Sequence, residues 1–233
     1  MYQEVAEVET QREKLCFALN RASYLEFFIG VSLADEDDQL LKLKESEETA
    51  LSCTALYGES LSIEDYEGKL TDDEANVFAQ ALYLRGTALA KISDIRGAGT
   101  AIKNWGTIKK TMTLVKRLGQ EAVYYYGADR TLGIANTEIP SPFGSRKKAE
   151  KYLNAAVQNT LWPGRSISRH IYNSIGLARL YKKTKRKEEA CSILLEILTL
   201  TDEEIKRDNF DLYYETLSDQ LEAIRFYDKY KCN

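Results

Sequence analysis

Proline is scarce in this chain of 233 residues: only three occur, and all of them lie between Pro140 and Pro163. Because proline interrupts helices, so low a content favours long helices over many short strands. No stretch approaches the roughly 18 consecutive apolar residues that a membrane span needs, so no transmembrane span is predicted. The opening residues, MYQEVAEVETQREK, are too acidic for a signal peptide.

Residues with catalytic chemistry are equally sparse. There is one histidine, His170, and the four cysteines form no Cys-x-x-Cys pair, so no metal site is predicted. The sequence contains no glycine-rich phosphate loop and no nucleophile signature. We therefore predict no catalytic residue, no cofactor and no enzymatic activity. A nucleic-acid partner is also not predicted, because the net charge is −4 and no recognition motif occurs.

What the chain does have is helical periodicity. Hydrophobic residues make up 44% of it and recur at helical spacing. The predicted class is all-α, with about nine or ten helices stacked as antiparallel hairpins in a single domain, 1–233. The predicted helices cover 2–30, the stretch from the acidic turn 34–38 to Gly58, a segment capped by Thr71 and running through Leu89, 100–118, 120–137, a segment opened by Ser145, 167–183, 187–200 and 210–230.

Charge is unevenly distributed along the chain. Residues 1–75 carry 19 acids and 6 bases, residues 76–200 carry 8 and 21, and residues 201–233 carry 9 and 5. One interpretation is intramolecular, with an acidic N-terminal layer neutralising a basic middle. The other is a basic concave surface for an acidic partner or an anionic ligand. Both remain open at this stage.

Two segments carry small residues where paired helices would meet. The first contains Gly133 and is followed by Ala149, Leu153 and Ala156; the second contains Gly176 and is followed by Ala190, Leu194 and Ile197. Small side chains let two helices approach closely. The pattern resembles the tetratricopeptide repeat, with a weaker copy around Gly86. Its spacings of 16 and 14 residues exceed the usual 12, so the predicted fold is a degenerate tetratricopeptide-like α-solenoid.

In this interpretation the chain has three parts. Residues 1–70 form an acidic N-terminal hairpin, residues 71–200 form the repeat-like hairpins, and residues 201–233 form a C-terminal capping helix. The stretch Pro140–Ala149 is similar to accessory subunits of bacterial tripartite ATP-independent periplasmic transporters. That resemblance, over roughly residues 75–225, implies a helical-repeat protein that pairs with a periplasmic solute-binding protein and has a cleft for a small ligand.

The repeat register predicts which side chains face the concave surface. It places Gln80 and Tyr83, then Gly127 and Arg130, then His170 and Asn173 on that side. Arg130 is the preferred ligand anchor because a guanidinium group binds carboxylate or phosphate through two hydrogen bonds; a structural ion pair with Asp129 or Asp94 is the alternative. Three further groove candidates follow from aromatic content, with core packing as the alternative: Tyr124, Tyr126 and Trp105.

The cysteine positions predict two disulfides. The midpoint of Cys16 and Cys53 falls in the acidic turn, and that of Cys191 and Cys232 falls near the predicted turn 201–209, so hairpins would bring each pair together. Four free thiols in a cytoplasmic protein are the alternative. Disulfides imply an oxidising compartment, so the predicted location is the periplasm or cell envelope, with a signal or lipid anchor removed.

Together these features predict a non-enzymatic binding protein. Its partner would be another protein or a small organic or anionic ligand, held in a groove of the basic central helices, and it could serve as a transporter accessory subunit. The alternative is an oligomeric scaffold or assembly protein of the cell envelope, in which the repeat faces join copies of the chain.

Overall fold

A computed structural model describes residues 2–58, 60, 62–66, 68–119 and 123–232. The described residues form ten α-helices, two short 3-10 helices and an isolated bridge between Leu161 and Ser168, which confirms the all-α prediction. None of the described helices is both long and apolar enough to cross a membrane. The helices are α1 Tyr2–Ser32, α2 Glu36–Ala55, α3 Asp72–Arg96, α4 Ala98–Arg117, α5 Gly127–Glu138, α6 Arg146–Gln158, α7 Ile171–Lys183, α8 Lys187–Leu198, α9 Asp202–Asp208 and α10 Tyr213–Tyr230.

Capping side chains start several helices where the sequence predicted them. Thr71 accepts a hydrogen bond from the backbone N–H of Glu74, and the Glu74 carboxylate accepts one from the N–H of Thr71, which is the predicted capping box. Ser145 caps α6 by accepting from the N–H of Lys148 at 3.4 Å. These contacts satisfy backbone donors that have no partner within the first turn of a helix.

Three predicted segments differ in the structure. The helix predicted over 120–137 begins at Gly127; its first three predicted residues, 120–122, lie outside the described part of the chain, and residues 124–126 form a left-handed turn with φ between 48° and 59°. α7 begins at Ile171 rather than at 167. The predicted turn 201–209 contains α9, because Thr201 and Glu204 form a second capping box.

The chain divides into two compact units, 1–131 and 132–233, with the division inside α5. In the first unit α2 packs between α1 and α3, and α4 packs on α3. Ser23 and Ser46, both fully buried, each donate a hydroxyl hydrogen bond to the backbone carbonyl of the other, at 2.8 and 2.9 Å. The cross-linked polar pair fixes the register of α1 on α2. The single domain 1–233 stays a prediction.

In the second unit, α6 packs on α7, α7 on α8, and α10 on α8 and α7. Leu153 of α6 lies against Gly133, as the small-residue pattern predicts, and also against Gly176. A Cβ on Gly133 would lie 2.5 Å from Leu153 Cγ, and one on Gly176 would lie 2.9 Å from Leu153 Cδ2. Both glycines therefore pack against the same leucine, whereas the sequence pattern predicted that Gly176 would pack against Ala190 of the next helix.

Both predicted disulfides are present, Cys16 to Cys53 and Cys191 to Cys232, and no cysteine is free. The first joins α1 to α2 in the first unit, and the second joins α8 to the residues after α10 in the second. Each unit is thus closed by one covalent link over a sequence separation of 37 or 41 residues.

We expect the protein unfolded without reductant to show no alkylatable thiol by mass spectrometry. The chain-entropy model gives each link about 4 kcal/mol of stability, because loops of this length lose much freedom in the unfolded state. The double substitution Cys191→Ser and Cys232→Ser should therefore lower the free energy of unfolding by up to about that amount. Four reactive thiols in the unreduced protein would contradict both disulfides.

Substitution of Gly133 by alanine should destabilise the second unit. The added methyl overlaps Leu153, and relief of such overpacking costs about 1 to 3 kcal/mol. Gly106→Ala, in the middle of α4, is the matched control, because a Cβ there meets no atom within 4 Å and alanine is about 1 kcal/mol better than glycine inside a helix. Denaturant titration should show a lower free energy of unfolding for Gly133→Ala and a higher one for the control. A stabilising Gly133→Ala would refute the close contact.

Candidate functional site

The outer face of α4 carries positive charge and no negative charge. Residues 97–120 contain five basic residues and no acid. Four of the bases are exposed and recur on one side of the helix with Gly99, Gly106 and Thr113, at the spacing of successive turns. The exposed bases are Lys103, Lys109, Lys110 and Arg117. The opposite face of α4 carries the buried Ile108, Thr111, Met112, Leu114 and Val115.

A depression of about 340 Å³ lies on this face of α4. It is lined by Ile63, Gly106, Lys109, Lys110, Thr113, Leu114 and Arg117. Ile63 and Leu114 are buried and supply apolar surface, while the three basic side chains supply charge. We call these seven residues the α4 depression. An apolar wall with a few convergent charged groups is typical of sites for small ligands.

Ion pairs neutralise only part of this charge. Lys116, on the inner side, lies 2.6 Å from the buried carboxylate of Asp129, and Arg117 lies 3.6 Å from Glu64. The hydroxyl of Ser62 donates to Glu64 and, with a backbone N–H and Arg117, holds the pKa of that carboxyl below its ordinary value. Within the described residues, Lys109 and Lys110 make no ion pair. Two ammonium groups thus remain available to an anion.

The exposed glycines have no packing role inside the unit. A Cβ on Gly99 or on Gly106 would meet no atom within 4 Å. Glycine inside a helix is less stable than alanine by about 1 kcal/mol, so Gly106, in the middle of α4, lowers helix stability without allowing a contact in this structure. At Gly106 the missing side chain exposes the backbone at the edge of the α4 depression.

The structure gathers three of the sequence-predicted site residues into one cluster of the first unit. Arg130 donates a hydrogen bond to the Tyr83 hydroxyl at 2.6 Å and lies 3.5 Å from the carbonyl oxygen of Tyr124. The rings of Tyr83 and Tyr124 stack with centroids 4.7 Å apart, and the rings of Tyr24 and Tyr124 stack with centroids 5.8 Å apart. A Cβ on Gly127 would overlap the Tyr83 ring, so this glycine makes room for it.

The predicted exposure of this cluster is wrong. Tyr83 and Arg130 are 5% and 7% exposed, and Gly127 is buried, because the tyrosine stack covers them. Asn173, in the second unit, is fully buried and donates to Thr160 Oγ1 and Ser168 Oγ at 3.1 Å, which fixes the segment before α7. Gln80 is half-buried.

The remaining candidates are half-buried and dispersed. Tyr126 lies in the left-handed turn rather than on a helix. Trp105 lies on α4 beside the depression but not among its lining residues. His170 precedes α7, with its Nε2 3.8 Å from a carboxylate oxygen of Glu215. Lys109 and Lys110 are not among the residues predicted from sequence, although the acid-free run 97–120 identifies them without a structure.

No protein-family model and no curated protein matches this chain. In the described residues, no group of three or more histidine, cysteine, aspartate or glutamate side chains is placed to hold a metal ion. The resemblance to the tetratricopeptide repeat and to transporter accessory subunits stays a prediction.

Truncation of Arg130 should reduce stability, contrary to its prediction as a groove residue. The Arg130→Ala substitution leaves the buried Tyr83 hydroxyl without its guanidinium donor and opens a void, a change that typically costs about 1 to 3 kcal/mol. Arg146→Ala, at an exposed arginine, is the control and should change the free energy of unfolding by less than about 0.5 kcal/mol. Equal effects in denaturant titration would contradict a structural role for Arg130.

Proposed function

We propose that this chain is a binding protein without catalytic activity, and that its ligand is a small organic anion or an acidic segment of a protein partner held at the α4 depression. The observation that supports this most directly is the pair Lys109 and Lys110, exposed, without an ion pair among the described residues, and adjacent to buried apolar surface. The proposal keeps the predicted basic central helices as the binding region and moves the site from Arg130 to α4.

The chemistry of the α4 depression supports an anion with an apolar part. Two ammonium groups attract carboxylate or phosphate oxygens, while the methylene stems of the same lysines, above the nearly buried Ile63 and Leu114, offer contact to carbon atoms. A volume of about 340 Å³ is at the lower end of the range for small-ligand pockets, which favours a compact ligand. The exposed backbone at Gly106 allows such a ligand, or an extended peptide, to approach the helix closely.

We further propose the periplasm or cell envelope as the location, with the cytoplasm as the alternative. Two disulfides support an oxidising compartment, because cytoplasmic thiols are normally kept reduced. The role of transporter accessory subunit, with a periplasmic solute-binding protein as partner, is the most specific form of the proposal. It is supported by the sequence resemblance alone.

An oligomeric scaffold is the second candidate, and one feature of α1 favours it. Several large apolar side chains of α1 are about half exposed: Leu15, Phe17, Leu25, Phe28 and Ile29. Exposed apolar surface is typical of protein interfaces where it is contiguous, and the last three lie within one and a half turns of each other. Static light scattering separates the two candidates, because a strict monomer at all concentrations would exclude a scaffold of identical copies.

The α4 site can be tested by calorimetric titration with citrate and with a short glutamate peptide. The Lys109→Gln and Lys110→Gln double variant should weaken binding of whichever probe binds by at least about tenfold, which is about 1.4 kcal/mol. The control, Lys14→Gln with Lys44→Gln, removes the same charge from exposed positions on α1 and α2 and should bind as the parent does. The site would be refuted if neither probe bound the parent protein, or if the α4 double variant bound a probe as tightly as the control double variant does.

A further inference from the structure

A second basic surface lies in the second unit. Residues 139–187 contain twelve basic residues and a single acid, Glu150. Ion pairs engage five of the bases: Arg165 with Glu204, Arg169 with Asp211, Arg179 and Lys183 with Glu138, and Arg186 with Glu150 and Glu189. Another, Lys182, lies over the ring of Tyr230. Six remain exposed and make no ion pair within the described residues.

These six bases lie at one end of the unit. Four belong to the first two turns of α6, Lys187 is the first residue of α8, and Lys185 lies in the turn between α7 and α8. Arg186 of that turn contacts Glu150 of α6 at 2.5 Å, so the two segments are adjacent. We call these six bases, together with Phe143 of the loop before α6, the basic end. The bases are Arg146, Lys147, Lys148, Lys151, Lys185 and Lys187.

Acids do not neutralise the basic end. Glu150 and Glu189 both bind Arg186, which leaves Glu188 as the only other acid in α6 or at the start of α8. The positive charges are therefore concentrated at one end of the unit, where they repel one another and attract anions.

Helix formation does not explain this arrangement. Arg146, Lys147 and Lys148 occupy the first turn of α6, where the partial positive charge of the helix terminus favours acids and disfavours bases. Lys185 follows α7 with φ 66°, a left-handed conformation that glycine or asparagine adopts more easily. Four of the six charges thus lie where a different residue would give a more stable fold.

An exposed aromatic side chain adjoins these charges. Phe143 is 53% exposed in the loop that enters α6, three residues before Arg146. The loop backbone closes on itself, since the N–H groups of Phe143 and Gly144 both donate to the carbonyl of Pro140 at 3.1 Å. The loop is thus held in shape with its phenylalanine directed into solvent.

We propose that the basic end binds the surface of an anionic phospholipid membrane, with Phe143 entering the interface. Each lysine or arginine near such a surface strengthens binding about fivefold, and an aromatic ring adds apolar contact at the headgroup level. These side chains come from helix ends, a turn and a loop at one end of the unit. Such an end can lie against the extended charged surface of a membrane. The site is distinct from the α4 depression and does not depend on the function proposed there.

The test is sedimentation of the whole protein with vesicles. Vesicles of equal parts phosphatidylglycerol and phosphatidylcholine should bind the protein, binding should fall steeply with added salt, and vesicles of phosphatidylcholine alone should not bind. The Lys147→Glu and Lys148→Glu double variant should bind at least about 25-fold more weakly, since it removes two charges and adds two of opposite sign.

Stability separates this effect from misfolding. Acids in the first turn of α6 should leave the thermal midpoint unchanged or raise it, so weaker binding with an equal or higher midpoint reports on the surface itself. The control, Lys14→Glu with Lys44→Glu, makes the same change in net charge on α1 and α2 and should bind as the parent does. Phe143→Ala should weaken binding a few-fold and leave its salt dependence unchanged.

Several outcomes would overturn the proposal. One is absence of binding to phosphatidylglycerol vesicles, and another is an equal loss of vesicle binding in the two charge-reversal variants. A third is equally tight binding to duplex DNA or to a glutamate peptide, which would indicate a general polyanion site. The Lys109→Gln and Lys110→Gln variant should bind vesicles normally. The membrane proposal and the α4 proposal therefore fail independently.

Discussion

Close helix contact at glycine is the constraint on which both units depend. In the first unit a Cβ on Gly86 of α3 would overlap Met112 and Thr111 of α4, and in the second unit Leu153 lies against Gly133 and Gly176. Because a protein interior is close-packed, the absence of one methyl group determines how near two helix axes can come. The contact at Gly86 holds the buried face of α4 on α3, and this orientation presents the basic face of α4 outward.

Much of the fold follows from local sequence rules, because helix starts and apolar periodicity depend on neighbours a few residues apart. Thr71 with Glu74 illustrates this, and the equivalent Thr201 with Glu204 would have predicted α9 had the same rule been applied there. The left-handed turn at 124–126 had no local signal, since three tyrosines are not the residues such a turn prefers. Its conformation depends on tertiary packing, including the stacking of the Tyr124 ring with the rings of Tyr24 and Tyr83.

The candidate site was less predictable than the fold. The repeat register predicts binding roles for Tyr83, Arg130 and Asn173. Their polar groups do form specific contacts, but with neighbouring side chains and backbone in the interior of the protein. Sequence spacing gives the side of a helix on which a residue lies, and it does not say whether a later segment covers that side. The acid-free run of α4 was a better signal, because charge without a nearby counter-charge is seldom buried.

Of the two meanings that the sequence left open for its uneven charge distribution, the ion pairs support the intramolecular one, and the anion-binding surface remains the proposal made for α4. Arg85 pairs with Glu47 at 3.1 Å and Arg117 with Glu64, so the acidic first segment does neutralise part of the basic middle within the first unit. Such pairs contribute little stability when exposed, and they leave Lys109 and Lys110 uncompensated. Acids three or four residues from these lysines would have neutralised them, as Glu45 neutralises Lys42 on α2. The persistence of one sign along α4, beside a glycine that no internal contact requires, is better explained by a ligand that supplies the missing negative charge.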